Sequence, residues 1–258
     1  MIPRDESVVG TADLLIGIDD TDDLDSRGTG YLAQVLLGRL RGLGLGTPVG
    51  ATRHQLLVDP RIPYTSHNTA ACIAWRTGTP ADEASVIAET ARFLETETPP
   101  GADPGLAVAV RTRLAASDRE ALAGFGRRAK KEVLVHDEAL GLAAHAGVHL
   151  SGHGGTHGGI VGALAAVGLH LSGGDGLFLW MEGIRGLYGR RTASELLSLV
   201  PLDDIRDAWG VRPRPDDPIE LGGWVRPILD GGRAVLLVEA DHDGTSWRVA
   251  PREVVKRH

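Results

Sequence analysis

Apolar positions along the chain fall into short runs divided by polar, glycine-rich connections. LLIGI (14–18) is a continuous apolar run that breaks off into aspartates, the pattern of a buried strand. Over 28–43 the apolar residues Tyr31, Leu32, Val35, Leu36 and Leu40 recur at helical spacing; Arg39 and Arg41 flank them and Gly44 offers a stop. Strand, acidic loop, helix is therefore the predicted opening unit. AACIAW (70–75) reads as a second strand and 81–96 as a helix through Val86, Ile87, Ala91 and Leu94. Proline and glycine concentrate in TPPGADPG (98–105), a boundary signal. Beyond it, GLAVAVRTRL (105–114) predicts a strand, 117–131 a helix, EVLVHD (132–137) a short strand and 138–146 a helix. The glycine-rich SGHGGTHGG (151–159) runs into a small-residue helix, IVGALAAVGLHL, and GLFLWMEGIRGLYG (176–189) reads as a strand or hairpin. After 190 the character changes. SELLSLVPLDDIRDAWG (194–210) reads as helical and RPRPDDP as an extended linker. The last stretch has short strands divided by DGG and HDG, the signature of a small β-barrel or β-meander. The predicted class is α+β (mixed α/β), in segments 13–98, 105–190 and a small β-rich appendage, 191–258.

Composition narrows the function classes. With 258 residues, 42% of them hydrophobic, the chain has material for a packed core. No run approaches the roughly 20 apolar residues that span a bilayer, and the N-terminus lacks a signal-peptide pattern, so no membrane partner and a cytoplasmic location are expected. Cys72 is the single cysteine, which excludes an internal disulfide and a cysteine-based zinc ribbon. A net charge of -7 argues against a generally nucleic-acid-coating surface, though a local basic patch can still hold RNA. Thirty-five glycines point to tight loops and to close approach of backbone to ligand.

Asp19, Asp20 and Asp22, followed by Asp23 and Asp25, carry the sharpest chemistry. Carboxylates this close raise one another's pKa unless a cation sits among them, and oxygen ligands suit magnesium. Thr21 and Thr29 add hydroxyls, while Gly28 and Gly30 admit a phosphate close to the backbone. A solvated acidic turn uses the same residue types. In the glycine-rich loop, N–H groups at a helix start can bind an anion, and His153 and His157 can ligate a metal, move a proton or touch phosphate. Neither a Walker A loop nor the dinucleotide spacing is present; the plain alternative is a loop that lets the next helix pack closely. In DPRIPYTSHNT, two prolines stiffen a polar loop in which Arg61, Thr65, Ser66, His67 and Asn68 are candidate ligand contacts; a surface arginine and a histidine bonded to a neighbouring loop are the plain alternative.

IGIDDTD followed by RGTGYLA, then PRIPY, ADPGLAVAV and GGIVGALAAVG, occur in an order that resembles the archaeal isoleucine-tRNA agmatidine (2-agmatinylcytidine) synthetase family, over about 13–190. The resemblance implies a kinase-like domain over 13–98 and a ferredoxin-like domain over 105–190. It implies ATP and Mg2+ as cofactors, and phosphorylation of a carbonyl oxygen, the C2 oxygen of a tRNA cytidine in the family, for attack by an amine such as agmatine. Carried over, Asp19, Asp20 and Asp22 are the catalytic and magnesium-binding residues, and Thr29 stands where the family has a phosphate-accepting threonine. Thr21, Gly28, Gly30, Arg61, His67 and Asn68 would serve ATP. His153, Gly155, Thr156, His157, Gly158, Gly159 and Glu182 would border the substrate. SHNT stands where the family's Arg-Gly-Asn triplet is expected, His157–Gly158 where an arginine is expected, and the family's zinc ribbon is missing. An ATP-dependent enzyme acting on a small amine or carbonyl compound, and a nucleotide-binding regulator, are the alternatives to a tRNA-modifying enzyme.

Overall fold

The side chains on the two faces of the central strand determine where the helices go. The structure, a computed structural model, describes residues 7–23, 25–62, 68–79, 82–241 and 246–255. In β1 (Leu14–Asp19), Leu14, Ile16 and Ile18 point to one face, and Leu15, Gly17 and Asp19 to the other. The first face is covered by α1 (Thr29–Gly42) and α2 (Asp82–Glu97), with Trp75, Phe93 and Leu36 in its core. The second is lined by small residues: Ala70, Cys72 and Ala74 of β3 (Thr69–Arg76), and Ala107 and Ala109 of β4 (Gly105–Val110). Its cover, α5 (Gly159–Ser172), is built of small residues too, so backbones meet: a Cβ on Gly17 would lie 2.1 Å from the Ala163 carbonyl oxygen. On its outer side α5 packs against α3 (Ala116–Ala129), where a Cβ on Gly168 would lie 1.9 Å from the Leu122 carbonyl oxygen. A shorter helix, α4 (His136–Ala146), completes this layer and ends at Gly147 in the left-handed conformation.

Beside β3 lies β2 (Thr47–Gln55), and beyond β4 lies β5 (His149–Gly152). The remaining elements are β6 (Leu177–Trp180), β7 (Arg190–Thr192), α6 (Ala193–Leu199), β8 (Asp204–Arg206), β9 (Pro218–Glu220), β10 (Ile228–Asp230), β11 (Arg233–Ala240), β12 (Trp247–Val249) and α7 (Arg252–Val255). The strands run in the order β5-β4-β1-β3-β2-β6-β10-β11-β12-β9-β7, with β8 pairing in parallel with β11. This is a mixed α/β fold on a large, mostly antiparallel sheet. The stretch at 98–105 leads into β4, which pairs with β1, and β10 pairs with β6, so strands from all three sequence segments join the same sheet. The C-terminal segment shares a core with the middle one: Phe178, Met181 and Ile184 pack with Leu196, Ile205, Leu229 and Leu236.

Several local expectations change. The sequence reading passes over β2 and β5 as strands. EVLVHD is no strand: the N–H groups of Lys131 and Glu132 close the end of α3 on the Arg128 carbonyl, 2.8 Å each, and α4 begins at His136. The strand at 105–114 ends at Val110 in a 3-10 turn, Arg111–Arg113. Of the strand or hairpin expected over 176–189, the strand is present as β6, and it is followed by a 3-10 turn, Ile184–Gly186, rather than by a hairpin return. The helix expected over 194–210 stops at Leu199, capped at its start by Thr192 and Glu195, and gives way to β8. Among the described residues, no helix is long and apolar enough to cross a membrane.

Candidate active site

Where β1 ends, the acidic loop meets the glycine loop, and Asp103 joins them. Asp19, the last residue of β1, turns its carboxylate toward α5; a Cβ on Gly162 would lie 1.7 Å from Asp19 Oδ2. Only a glycine leaves that room. Asp20 follows in the left-handed region (φ 52°), which Asp and Asn tolerate better than other side chains. Its carbonyl accepts from the Asp103 N–H at 3.2 Å. The Asp103 carboxylate in turn accepts from Thr156 N (2.9 Å), Thr156 Oγ1 (2.6 Å), His157 N (2.6 Å) and Gly158 N (2.9 Å). The N–H groups that the sequence reading offers to a ligand anion are thus occupied by an anion of the chain itself. In the sequence Asp103 stands out only as part of a Pro/Gly boundary. The signal that could have found it is its position one residue before Pro104, at the start of a strand beside the glycine loop.

Electrostatics differ sharply among these carboxyls. Burial, with Asp20 and Asp22 close by, pushes Asp19 up to about 8. Burial, then the charges of Asp103 and Asp22, raises Asp20 to about 6. Burial acts on Asp103 in the same direction, but its four donors outweigh it and hold the carboxyl below its usual range. Asp22 accepts from Thr29 Oγ1 at 3.3 Å, at the start of α1.

These groups line a cavity of about 840 Å³. Of the sequence candidates, Asp19, Asp20, Asp22, Thr29, Arg61, Asn68, Gly155, Thr156, Gly158 and Gly159 border it. The opposite wall, which the sequence reading does not foresee, is the connection from α3 to α4, with Glu132, Val133, Leu134 and His136. Arg61 is held by Asp59 through two bonds of 2.8 Å, and Asn68 donates to the Leu57 carbonyl at 2.6 Å.

Other candidates stand elsewhere. Thr21 is fully buried, and its hydroxyl has no hydrogen-bond partner among the described residues. Gly28 caps α1, and Gly30 makes room for Leu179, 3.2 Å from the position of a Cβ, rather than for a phosphate. His153 lies between Ser151 (2.8 Å) and Glu95 (3.0 Å), away from the cavity. The His157 ring packs on Gly152, and exposed Glu182 pairs with Arg41 at 3.2 Å. Thr65, Ser66 and His67 lie outside the described residues.

Comparison with known proteins follows the same contours. No family model matches the chain. It is 33% identical over 164 residues to the tRNA(Ile2) 2-agmatinylcytidine synthetase TiaS of Methanosarcina acetivorans, across 62% of this chain and 36% of that protein. A solved TiaS–tRNA(Ile2)–ATP complex aligns at 26% identity and a TM-score of 0.50, over 60% of this chain and 36% of the other. A solved tRNA fluorescent labeling enzyme gives the same identity and TM-score, over 60% and 35%. A TiaS–tRNA(Ile2)–AMPCPP–agmatine complex, at 24% identity and a TM-score of 0.51, is similar in fold. The chain is similar to these proteins over the matched part and spans about a third of the length of the curated relative it matches.

Proposed function

We propose that the chain is an ATP-dependent, ligase-like enzyme resembling tRNA agmatidine synthetase. In this reading it activates a carbonyl oxygen by phosphorylation so that an amine can displace it, with a tRNA cytidine and agmatine as the substrates the likeness favours. The observation that carries this is the crowding of Asp19, Asp20 and Asp22 at the mouth of a cavity large enough for a nucleotide, with two of the three carboxyls pushed up in pKa. Such a set fits Mg2+: all donors are oxygens, and a cation offsets the burial and, after it, the repulsion that raise the pKa values. Among the described residues no three or more His, Cys, Asp or Glu side chains converge to hold a metal. The ion would therefore take one or two of these carboxylates rather than all three, and fill its shell with water and phosphate oxygens. Bound there, Mg2+ would neutralise charge on the phosphates of ATP.

The chain's own residues do the rest. Asp103 fixes the glycine loop against the acidic loop, so the two walls keep their spacing as substrate binds. Thr29, whose hydroxyl donates to Asp22, borders the cavity and is the hydroxyl the likeness offers as phosphate acceptor. On the far wall, His136 borders the cavity, the one histidine to do so among the described residues, and would take the proton an attacking amine releases.

Magnesium-dependent ATP consumption by the purified chain, with and without total tRNA and agmatine, tests this. The expected result is consumption that rises when both are supplied and drops at least about a hundredfold in Asp20→Asn, a change that keeps both shape and tolerance of φ 52°. Undiminished consumption by Asp20→Asn removes the metal–phosphate assignment. Stimulation by a small amine or carbonyl compound alone moves the substrate from tRNA to metabolism.

A further inference from the structure

On the α1 side of the sheet, four arginines gather with no acidic partner among the described residues. Arg53 of β2 sits opposite Leu177 of β6, which sits opposite Ile228 of β10, so the three project from one face. Trp224, Val254 and Val255 pack on that same face with Leu177 and Ile228, which seats α7 beside Arg53. Arg252, the first residue of α7, holds its guanidinium 5.1 Å from the centre of the Trp224 ring. Arg226, two residues before Ile228, has its own bond only to the Val225 carbonyl, at 3.0 Å. Arg185, in the turn after β6, reaches Gln34 of α1. Arg53 and Arg226 are half-buried, Arg185 and Arg252 exposed.

Among the described residues nothing acidic relieves this cluster. Burial lowers the pKa of Arg226, and Arg185, Arg252 and Arg53 lower it further; burial and Arg252 do the same to Arg53. Of the carboxylates nearest in sequence, Glu182 is taken by Arg41, and Glu253 forms no ion pair with its neighbour Arg252. Half-buried like charges without counterions are unfavourable in the free protein, and an anion binding among them relieves that cost. Guanidinium groups match phosphate oxygens two at a time.

The location is informative. Ala71 of β3 lies opposite both Ile18 of β1 and Arg53, so Arg53 is about 10 Å across the sheet from the end of β1, two strand spacings away. None of the four arginines lines the cavity, so this is not the phosphate site of the nucleotide. Two of them, with Trp224, come from the C-terminal segment.

We propose that Arg53, Arg185, Arg226 and Arg252 form a binding site for the phosphate backbone of an RNA strand, beside the candidate active site and completed by the C-terminal segment. The choice of RNA among polyanions rests on the proposed function; the unpaired cluster itself does not. Labelled total tRNA titrated against the full chain over a range of KCl concentrations tests it, comparing wild type with Arg53→Gln/Arg226→Gln and with the exposed Arg252→Gln. The double variant is expected to bind on the order of tenfold more weakly at low salt, with a log–log salt slope shallower by about 0.7 to 0.9 for each phosphate left without its arginine. Its thermal midpoint should not fall, because removing unpaired like charge relieves the free protein. Wild-type affinity and slope in the variants overturn the site. A lower midpoint with unchanged tRNA affinity in Arg252→Gln makes the cluster structural and overturns it as well. If wild type itself fails to bind tRNA at low salt, the RNA site falls, while ATP consumption with small amines still reports on the proposed function separately.

Discussion

His170 is buried in α5 at the end of a chain of polar side chains. Its Nδ1 is 2.9 Å from Thr52 Oγ1, which is 2.9 Å from His54 Nε2; His54 Nδ1 is 2.9 Å from Asp175, and Lys130 pairs with that carboxylate. Burial, with His54 and Arg111 near, pushes His170 down to about 3. An unfolded chain takes a proton on this imidazole near pH 6.5, whereas the folded chain refuses it until about pH 3. Between those values the unfolded state binds more protons, so stability is intact above pH 6.5 and lost as pH falls toward 3. A thermal midpoint that declines over that window, and declines less in His170→Asn, is the expected outcome. None of this network is legible in the sequence, since Thr52, His54, Lys130, His170 and Asp175 are brought together only by packing. The aspartate loop is legible because a buried strand that ends in acidic residues sets its own chemistry. Asp103 is not, because its role depends on the backbone of a loop more than fifty residues away.

Among the elements, α5 shows most directly how residue size fixes geometry. Gly162→Ala puts a methyl group where the Asp19 carboxylate sits, 1.7 Å from Oδ2, so it should displace that carboxylate and destabilise the fold by about 1 to 3 kcal/mol. Gly141→Ala, in α4 with nothing within 4 Å of the new Cβ, should instead stabilise by up to about 1 kcal/mol. Denaturant melts of both, with ATP consumption for the first, check the contrast. The helix at 160–171 is visible from its run of small residues, and α1 from its periodicity. β2 escapes a sequence reading because TPVGATRHQ mixes proline, glycine and polar residues, and it becomes a strand by lying between β3 and β6. β5, only four residues long, owes its extended form to its ladder with β4. EVLVHD has strand composition but no partner strand among the described residues, and its N-terminal end belongs to the last turn of α3.

For the whole molecule, the sheet order makes the C-terminal segment part of the fold. A chain lacking 191–258 would strip Leu196, Ile205, Leu229 and Leu236 from Phe178 and Met181, remove the partner β10 from β6, and lose the bond from Val8 N to Asp203 at 2.9 Å. Loss of a core of this size costs many times the roughly 2 to 5 kcal/mol typical of one large-to-small change. The truncated chain is therefore expected to melt well below the full chain or not fold; an unchanged midpoint would show the segment to be dispensable. The change of composition after 190 and the turn-rich strands are readable from sequence. Their insertion beside β6 is not, because it depends on pairing between residues some fifty positions apart. Helix α5 meets β1 and α3 backbone to backbone at Gly17 and Gly168, which leaves no side-chain layer there to slide or tilt. Across the cavity the wall at 130–135 has no regular secondary structure, so a change in the width of the mouth is expected on that side rather than at α5.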